Sequence, residues 1–247
     1  MTALVLAVVA GAVVGLALGA LGGGGSVLAV PALIYLLGFT PSAATTASLV
    51  IVAATSATAL YAHARDGHVA WSVGSLFAAA GILPAYLAGA AAGRVPEAVL
   101  TAAFAVIATL AALRMFRPSA SRPPRRTRPA EAAGTGAGLG AVTGFLGVGG
   151  GFLAVPALVS VLGLSMRRAV GTSLLVITVN SLAALVARTG TGAGLDWAMI
   201  GPFGGAAVLG AWDGRRLGAR VSGDGLQKVF AGVLLAVAVF MLIDVIA

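Results

Sequence analysis

Two glycine-rich stretches decide how this chain folds: Gly22-Gly23-Gly24-Gly25-Ser26-Val27-Leu28-Ala29-Val30-Pro31-Ala32-Leu33 and Gly147-Val148-Gly149-Gly150-Gly151-Phe152-Leu153-Ala154-Val155-Pro156-Ala157-Leu158. They belong to a longer internal repeat, in which residues 11 to 49 match residues 136 to 174 without a gap and with 19 identities in 39 positions. Beyond one inserted residue the match continues with four further pairs, which are Trp71 and Trp197, Arg94 and Arg220, Leu100 and Leu226, and Phe104 and Phe230. The chain therefore consists of two homologous halves.

The composition places the chain in a membrane. Apolar residues make up 60% of its 247 residues and charged residues 9%, whereas soluble domains carry about 25% charged residues. The net charge of +8 does not indicate nucleic-acid binding, because the arginines lie beside apolar segments and no basic face alternates with stacking aromatics. Membrane lipids are the expected surroundings, and the absence of Cys excludes disulfides and thiolate sites.

Each half reads as three full spans and one broken element. The clean spans of the first half are residues 42 to 62, 70 to 92 and 97 to 116, each close to the roughly 20 residues that cross a bilayer. Residues 3 to 37 are too long for one crossing, and we expect them to form a retained membrane element rather than a cleaved signal. The glycine run disfavours helix, so residues 22 to 26 and 147 to 151 are predicted to be non-helical. This gives each half one Gly-broken helix, discontinuous or re-entrant.

The positive charges choose between two topologies. Inverted halves place 13 of the 15 Lys and Arg residues on the cytoplasmic side and only Arg94 and Arg188 outside, whereas parallel halves divide them 8 to 7. Because cytoplasmic loops retain positive charge, we predict an all-α polytopic bundle of two inverted repeats with both termini outside. The predicted organisation is membrane repeat one (1 to 116), a cytoplasmic Arg/Pro-rich linker (117 to 133) and membrane repeat two (134 to 247).

The paired glycine-rich stretches resemble the signature of the TauE/SafE sulfite exporter family, and the resemblance covers nearly the whole chain. It extends to Gly171-Thr172-Ser173-Leu174, which is similar to a Thr-Ser-Leu motif on the family's following helix. In the first half, Thr46-Ala47-Ser48-Leu49 has Ala47 where the family usually shows Thr. The resemblance implies a multi-pass protein of the bacterial inner (plasma) membrane. It also implies that the protein transports a sulfur-containing anion such as sulfite, an organosulfonate or thiosulfate.

The glycine runs have a chemical use that fits a small anionic substrate. Glycine-rich turns expose backbone N–H groups, and helices beginning near Val27 and Phe152 would aim their positive N-terminal ends at the breaks. Such ends bind anions without a fixed cation. The alternative is that the glycines only permit close packing, which is the role we expect for Gly11, Gly15 and Gly19.

A polar stripe on the next helix extends the candidate site. Ser48 and Thr55 are two helical turns apart, as are their repeat equivalents Ser173 and Asn180, so each pair lies on one helix face. Hydrogen bonding between helices is the alternative use of these side chains. Pro31, Pro156 and Thr172 join the site through the family resemblance. The candidate substrate-binding residues are Gly23, Gly24, Gly25, Ser26, Pro31, Ser48, Thr55, Gly149, Gly150, Gly151, Pro156, Thr172, Ser173 and Asn180.

The remaining chemistry narrows the function to transport. The seven acidic residues lie in loops or near span ends, which leaves no mid-membrane carboxylate for ion coupling. His63 and His68 flank a loop and could exchange protons, or could simply be interfacial. No His-Glu-x-x-His or phosphate-loop motif is present, so no enzyme activity, cofactor or metal is expected. A secondary transporter is favoured, an anion channel remains the alternative, and assembly into a homo-oligomer is left open.

Overall fold

The protein is an all-helical bundle. The computed structural model describes residues 2–92, 95–116, 128–146, 151–187 and 196–246. Within these residues the α-helices are α1 (Thr2–Leu21), α2 (Gly24–Pro31), α3 (Pro41–Arg65), α4 (Trp71–Ala92), α5 (Glu97–Phe116), α6 (Pro129–Leu146), α7 (Gly151–Ser160), α8 (Met166–Ala187), α9 (Trp197–Arg220) and α10 (Gly223–Ile246). Helix α2 continues into one π-helical turn, Ala32–Leu36.

Six helices in the described part of the chain are long and apolar enough to cross a membrane, namely α1, α3, α4, α5, α8 and α10. Helices α3, α4 and α5 coincide with the three spans predicted for the first half to within a few residues. Helix α9, the repeat equivalent of α4, is long enough but is not in this set. Glycines throughout the helix, together with Asp213, Arg215 and Arg216 near its end, dilute its apolar character.

The outer surface of the bundle is apolar. On α1, Val5, Val9 and Val13 follow one another at intervals of one helical turn and are 60%, 55% and 54% exposed. Comparable side chains face outward on other helices, such as Leu209 on α9 and Val186 on α8. A continuous exposed apolar surface is unfavourable in water and is the surface that lipid chains cover.

Glycine stripes bring two pairs of helices into backbone contact. On α1 a Cβ added at Gly11, Gly15 or Gly19 would collide with the backbone of Phe203, Ala207 or Ala211 on α9. On α6 a Cβ added at Gly136, Gly140 or Gly144 would collide with Phe77, Gly81 or Ala85 on α4. These glycines therefore permit close packing, as expected. Because the residue numbers rise together, α1 runs parallel to α9, and α6 runs parallel to α4.

Helices α3 and α8, which are repeat equivalents, cross in opposite directions. The Ser56 hydroxyl on α3 lies 2.9 Å from the Thr178 hydroxyl on α8. Two helical turns further along α3, His63 approaches Gly171, where an added Cβ would lie 3.4 Å from the His63 Cβ. Residue numbers rise on α3 while they fall on α8, so the two helices are antiparallel.

The two halves interleave in space. Helix α1 of the first half lies on α9 of the second. Helix α5 meets α7 where the rings of Phe104 and Phe152 pack with 4.8 Å between centroids and an angle of 57° between their planes. Both ring systems are fully buried. Of the predicted linker, residues 117 to 127 lie outside the described part of the chain, and α6 already begins at Pro129. The buried apolar side chains of the described residues form two clusters, and each cluster contains helices of both repeats.

Candidate functional site

The first glycine run ends one helix and begins another within two residues. Gly22 adopts a left-handed conformation with φ of 68°, and its N–H donates to the Leu18 carbonyl at 2.8 Å, which closes α1. Gly23 returns to helical dihedrals. Only glycine takes a left-handed φ without strain, so this position is where the chain turns.

The break is shorter than the five residues predicted. Residues 22 to 26 were expected to be non-helical, but Gly24, Gly25 and Ser26 form the first turn of α2. Once Gly22 has changed the direction of the chain, the following glycines meet no steric obstacle to helix, and their intrinsic penalty is only about 1 kcal/mol each. Their N–H groups are therefore the first-turn donors of α2, which have no acceptor within the helix.

The second glycine run meets the first. Gly149 and Gly150 lie outside the described residues, while Gly151, also expected to be non-helical, is the buried first residue of α7. A Cβ added to Gly23 would collide with the Gly151 carbonyl and would come within 3.0 Å of the Phe152 Cα. The turn before α2 and the start of α7 are thus in direct backbone contact. Two helix N-termini, each with the positive end of a helix dipole, converge there.

Helix α8 forms one wall of this junction. A Cβ added to Gly22 would lie 2.5 Å from the Ser173 hydroxyl oxygen and 3.2 Å from the Val170 carbonyl oxygen. Ser173 is fully buried, and its hydroxyl donates to the Val170 carbonyl at 2.8 Å. The Thr172 hydroxyl bonds to another part of the chain, since it accepts a hydrogen bond from the Ala70 N–H at 3.0 Å. Ser173 therefore borders the glycine turn, whereas Thr172 ties the start of α4 to α8.

The hydroxyls of the predicted stripe are engaged by their own helices. Ser48 donates to the Thr45 carbonyl at 2.8 Å, and Thr55 donates to the Ile51 carbonyl at 2.6 Å. Both side chains are buried. Back-bonding of this kind is common for Ser and Thr within helices. Either hydroxyl could donate a hydrogen bond to an anion only after giving up its bond to the carbonyl of its own helix.

Asn180 differs from the three hydroxyl residues of the stripe in its hydrogen bonding. Its side-chain oxygen is buried and has no hydrogen-bond partner in the described part of the protein. A buried amide oxygen without a partner costs roughly 1 to 3 kcal/mol. The amide can also rotate to present its NH₂ group instead. Asn180 is therefore able to offer either a donor or an acceptor to a bound molecule.

Sequence reasoning missed the contact that joins α3 to α8. Ser56 and Thr178 are hydrogen-bonded across the two helices, and Thr178 also donates to the Leu174 carbonyl at 2.7 Å. The signal was present in the repeat, because Ser56 matches Ser181 at the same offset that relates Thr55 to Asn180. Ser181 is also buried.

The two prolines of the candidate site occupy equivalent positions in the short helices α2 and α7. Pro31 ends α2 and is followed by the π-helical turn, while Pro156 lies inside α7 and is buried. Proline has no N–H to donate to the carbonyl four residues earlier, so each of these helices lacks one internal hydrogen bond. No group of three His, Asp or Glu side chains suited to a metal ion occurs among the described residues.

Comparisons of the sequence with known proteins identify the family of this chain. The family model for the sulfite exporter TauE/SafE matches residues 7–241. Two curated relatives from two strains of Xylella fastidiosa, both called "Probable membrane transporter protein", are 33% and 32% identical over 97% of this chain and 95% of their own length. No solved structure matches the chain. With nearly its full length matched, this chain belongs to the TauE/SafE sulfite exporter family of membrane transporters.

Proposed function

We propose that this protein is a secondary transporter that carries a small sulfur-containing anion across the bacterial inner membrane. The observation that carries the proposal is the contact between Gly23 and Gly151, which brings the starts of α2 and α7 together. Two converging helix N-termini can hold an oxyanion through backbone N–H groups and dipoles. Paired broken helices at a repeat interface are also how many secondary transporters build their substrate sites.

The proposed site has a backbone part and a side-chain part. The N–H groups of Gly24, Gly25 and Ser26 in the first turn of α2 and those of the first turn of α7, which begins at Gly151, supply the donors. Gly149 and Gly150, which precede α7 in the sequence, stay in the candidate site as a prediction. Ser173 borders the turn, and Asn180, two helical turns further along α8, has a side-chain amide that can rotate to direct its NH₂ group toward the anion. Such a donor set suits the three oxygens of sulfite, of a sulfonate or of thiosulfate, because each oxygen accepts more than one hydrogen bond.

Inverted repeats are part of the proposal. A twofold axis in the membrane plane makes equivalent helices antiparallel, and α3 and α8 cross in that way through Ser56 and Thr178. The same axis exchanges the parallel pair α1 and α9 with the parallel pair α6 and α4, and both pairs use matching glycine stripes. These contacts support one Gly-broken element and three spans in each half. They also make α9 a span despite its polar end.

The orientation follows from the 13 to 2 division of positive charge. The linker, residues 117 to 133, is cytoplasmic and both termini are periplasmic. Cys replacements at Ser119 and at Thr2 test this in intact cells, because the chain contains no Cys of its own. A membrane-impermeant thiol reagent should label the Cys at position 2 and spare the one at position 119. The reverse pattern would contradict the orientation.

Transport itself is tested with purified protein in liposomes. Sulfite, thiosulfate, sulfoacetate, taurine and a simple carboxylate form the panel, and uptake of labelled anion is measured against unlabelled anion trapped inside. A carrier gives saturable uptake that accelerates when trapped anion exchanges with external anion. Conduction without saturation or exchange would identify a channel instead. Absence of flux for every sulfur anion in correctly reconstituted protein would refute the proposal.

A further inference from the structure

We propose that His63 binds the proton that is moved together with the anion, which makes the protein a proton-coupled carrier; this rests on the transport function proposed above. The starting point is a fixed tautomer. The His63 Nε2 atom lies 3.2 Å from the Gly19 carbonyl oxygen on α1. Because a carbonyl oxygen can only accept, Nε2 must carry the hydrogen. The other ring nitrogen, Nδ1, is then the only site on the ring where a proton can add.

Nδ1 is in an unusual position for a histidine that serves structure alone. It is buried without a hydrogen-bond partner among the described residues, and the whole side chain is only 9% exposed. Buried polar atoms are nearly always satisfied, and one that is not requires an explanation. A proton at Nδ1 turns this bare acceptor into a charged donor that a neighbouring anion can accept.

The imidazole lies next to the glycine junction. Its partner Gly19 is three residues before the turn at Gly22, and its Cβ approaches Gly171, which is two residues before Ser173. Ser173 in turn borders Gly22. His63 is therefore within about one helical turn of the proposed anion site along both α1 and α8.

The surrounding charges leave His63 without a carboxylate of its own. The charged or titratable groups that act on it are Asp66 and His68 in the following loop and Arg215 on α9. The neighbouring turns also carry Tyr61 and Arg65 on α3, and Arg167 and Arg168 lie four and three residues before Gly171 on α8. Asp66 is paired with Arg215 at 2.6 Å, and Arg167 donates to the Ala219 carbonyl at 3.2 Å. Helix α1 and the first turns of α4 carry no titratable side chain. A bound anion is the counter-ion that a protonated His63 lacks.

The coupling follows from mutual stabilisation. A proton from the water on one side adds to Nδ1, the resulting imidazolium favours the anion, and the anion favours the imidazolium, so that each ligand raises the affinity for the other. When the anion leaves on the opposite side, the proton returns to water there. No oxidant, reductant or further reactant is needed. In the proposed orientation His63 lies toward the cytoplasmic end of α3, close to a source of protons.

The test uses thiosulfate, whose charge does not change near neutral pH. Liposomes containing the protein and a trapped pH dye receive external labelled thiosulfate with or without an inward proton gradient. The wild-type protein should accumulate thiosulfate under the gradient and acidify the interior. His63→Gln should exchange internal for external thiosulfate with a weaker apparent affinity, because Gln retains a donor for the Gly19 carbonyl but cannot carry the proton that favours the anion. Its gradient-driven accumulation should fall by at least roughly fivefold, the low end of common coupling factors.

The control variant is His68→Gln, which removes the neighbouring histidine whose ring lies 6.3 Å away and should leave accumulation unchanged. A second measurement needs no variant: thiosulfate added to weakly buffered, detergent-solubilised wild-type protein should cause proton uptake by the protein. Exchange without any proton movement or uptake, or full gradient-driven accumulation by His63→Gln, would overturn the role of His63 while the transport function stands. Absence of exchange by the wild-type protein would instead refute the transport function, and this inference with it.

Discussion

The turn at Gly22 can be tested by one added methyl group. In Gly22→Ala the backbone keeps φ near 68°, which costs an L-residue about 1 to 2 kcal/mol. The new Cβ would also lie 2.5 Å from the Ser173 hydroxyl. That hydroxyl must move and lose its bond to Val170, for a further cost of roughly 0.5 to 1.5 kcal/mol. The expected total is about 1.5 to 3.5 kcal/mol.

Gly163 provides the matched control. Its φ is 67°, but an added Cβ would meet no atom within 4 Å, so Gly163→Ala should show the backbone cost alone. The assay is thermal unfolding of purified protein in detergent, where Gly22→Ala should melt about 2 to 4 °C below Gly163→Ala for each additional kcal/mol. Adding Ser173→Ala to Gly22→Ala should cost less than it does alone, because the hydroxyl bond is already lost. Equal melting of the two glycine variants, or strictly additive effects, would refute this account of the turn.

Two further predictions concern packing and are checked by the same unfolding measurement. On α6, Gly140→Ala should destabilise the protein by about 1 to 3 kcal/mol because its Cβ would collide with the Gly81 backbone. Gly138→Ala is the control, since its Cβ meets no atom within 4 Å, and it should be neutral or stabilising by up to about 1 kcal/mol. Equal effects of the two changes would argue against the contact of α6 with α4. Gln227→Leu should cost about 1 to 3 kcal/mol, because the buried Gln227 Nε2 donates to the Met115 carbonyl at 2.6 Å, and unchanged stability would mean that this bond does not join α10 to α5.

The full spans were accessible to sequence reasoning because their signals are local. Helix α3 illustrates this, since Pro41 occupies its first turn and the Thr40 hydroxyl accepts a hydrogen bond from the Ala43 N–H. Proline at the start and threonine before it are ordinary helix-start signals. The apolar run that follows then extends to the polar residues around Arg65. Length, hydropathy and end signals agree in this helix, so its position could be predicted closely.

The length of the glycine break could not be predicted in the same way. Four consecutive glycines disfavour helix by a modest amount each, and contacts from the rest of the bundle outweigh that preference. The decisive event is the left-handed φ of Gly22 together with the approach of Gly151 to Gly23. The approach involves a segment more than a hundred residues away in the sequence. Local propensity therefore overestimated how far the non-helical segment extends beyond Gly23.

The repeat drew attention to polar positions on α3 and α8, and the side chains of Ser48, Thr55 and Ser173 are buried in the structure. Their role in binding stays a prediction. A helical period cannot indicate whether a hydroxyl faces a ligand or donates to its own backbone, and all three do the latter. Placement of Asn180 with an unpaired buried oxygen likewise depends on packing that periodicity does not describe.

The central claim is that an anion binds where the starts of α2 and α7 meet, and binding to Gly23→Ala tests it most directly. Gly23 has ordinary helical dihedrals, so alanine adds no backbone strain, but its Cβ would push against the Gly151 carbonyl. The control is Gly205→Ala on α9, where an added Cβ meets no atom within 4 Å. Thiosulfate titration of folded, monodisperse protein should show affinity reduced by about tenfold or more in Gly23→Ala, or 1.4 kcal/mol, and unchanged in Gly205→Ala. Wild-type affinity in a folded Gly23→Ala protein would contradict the proposed site.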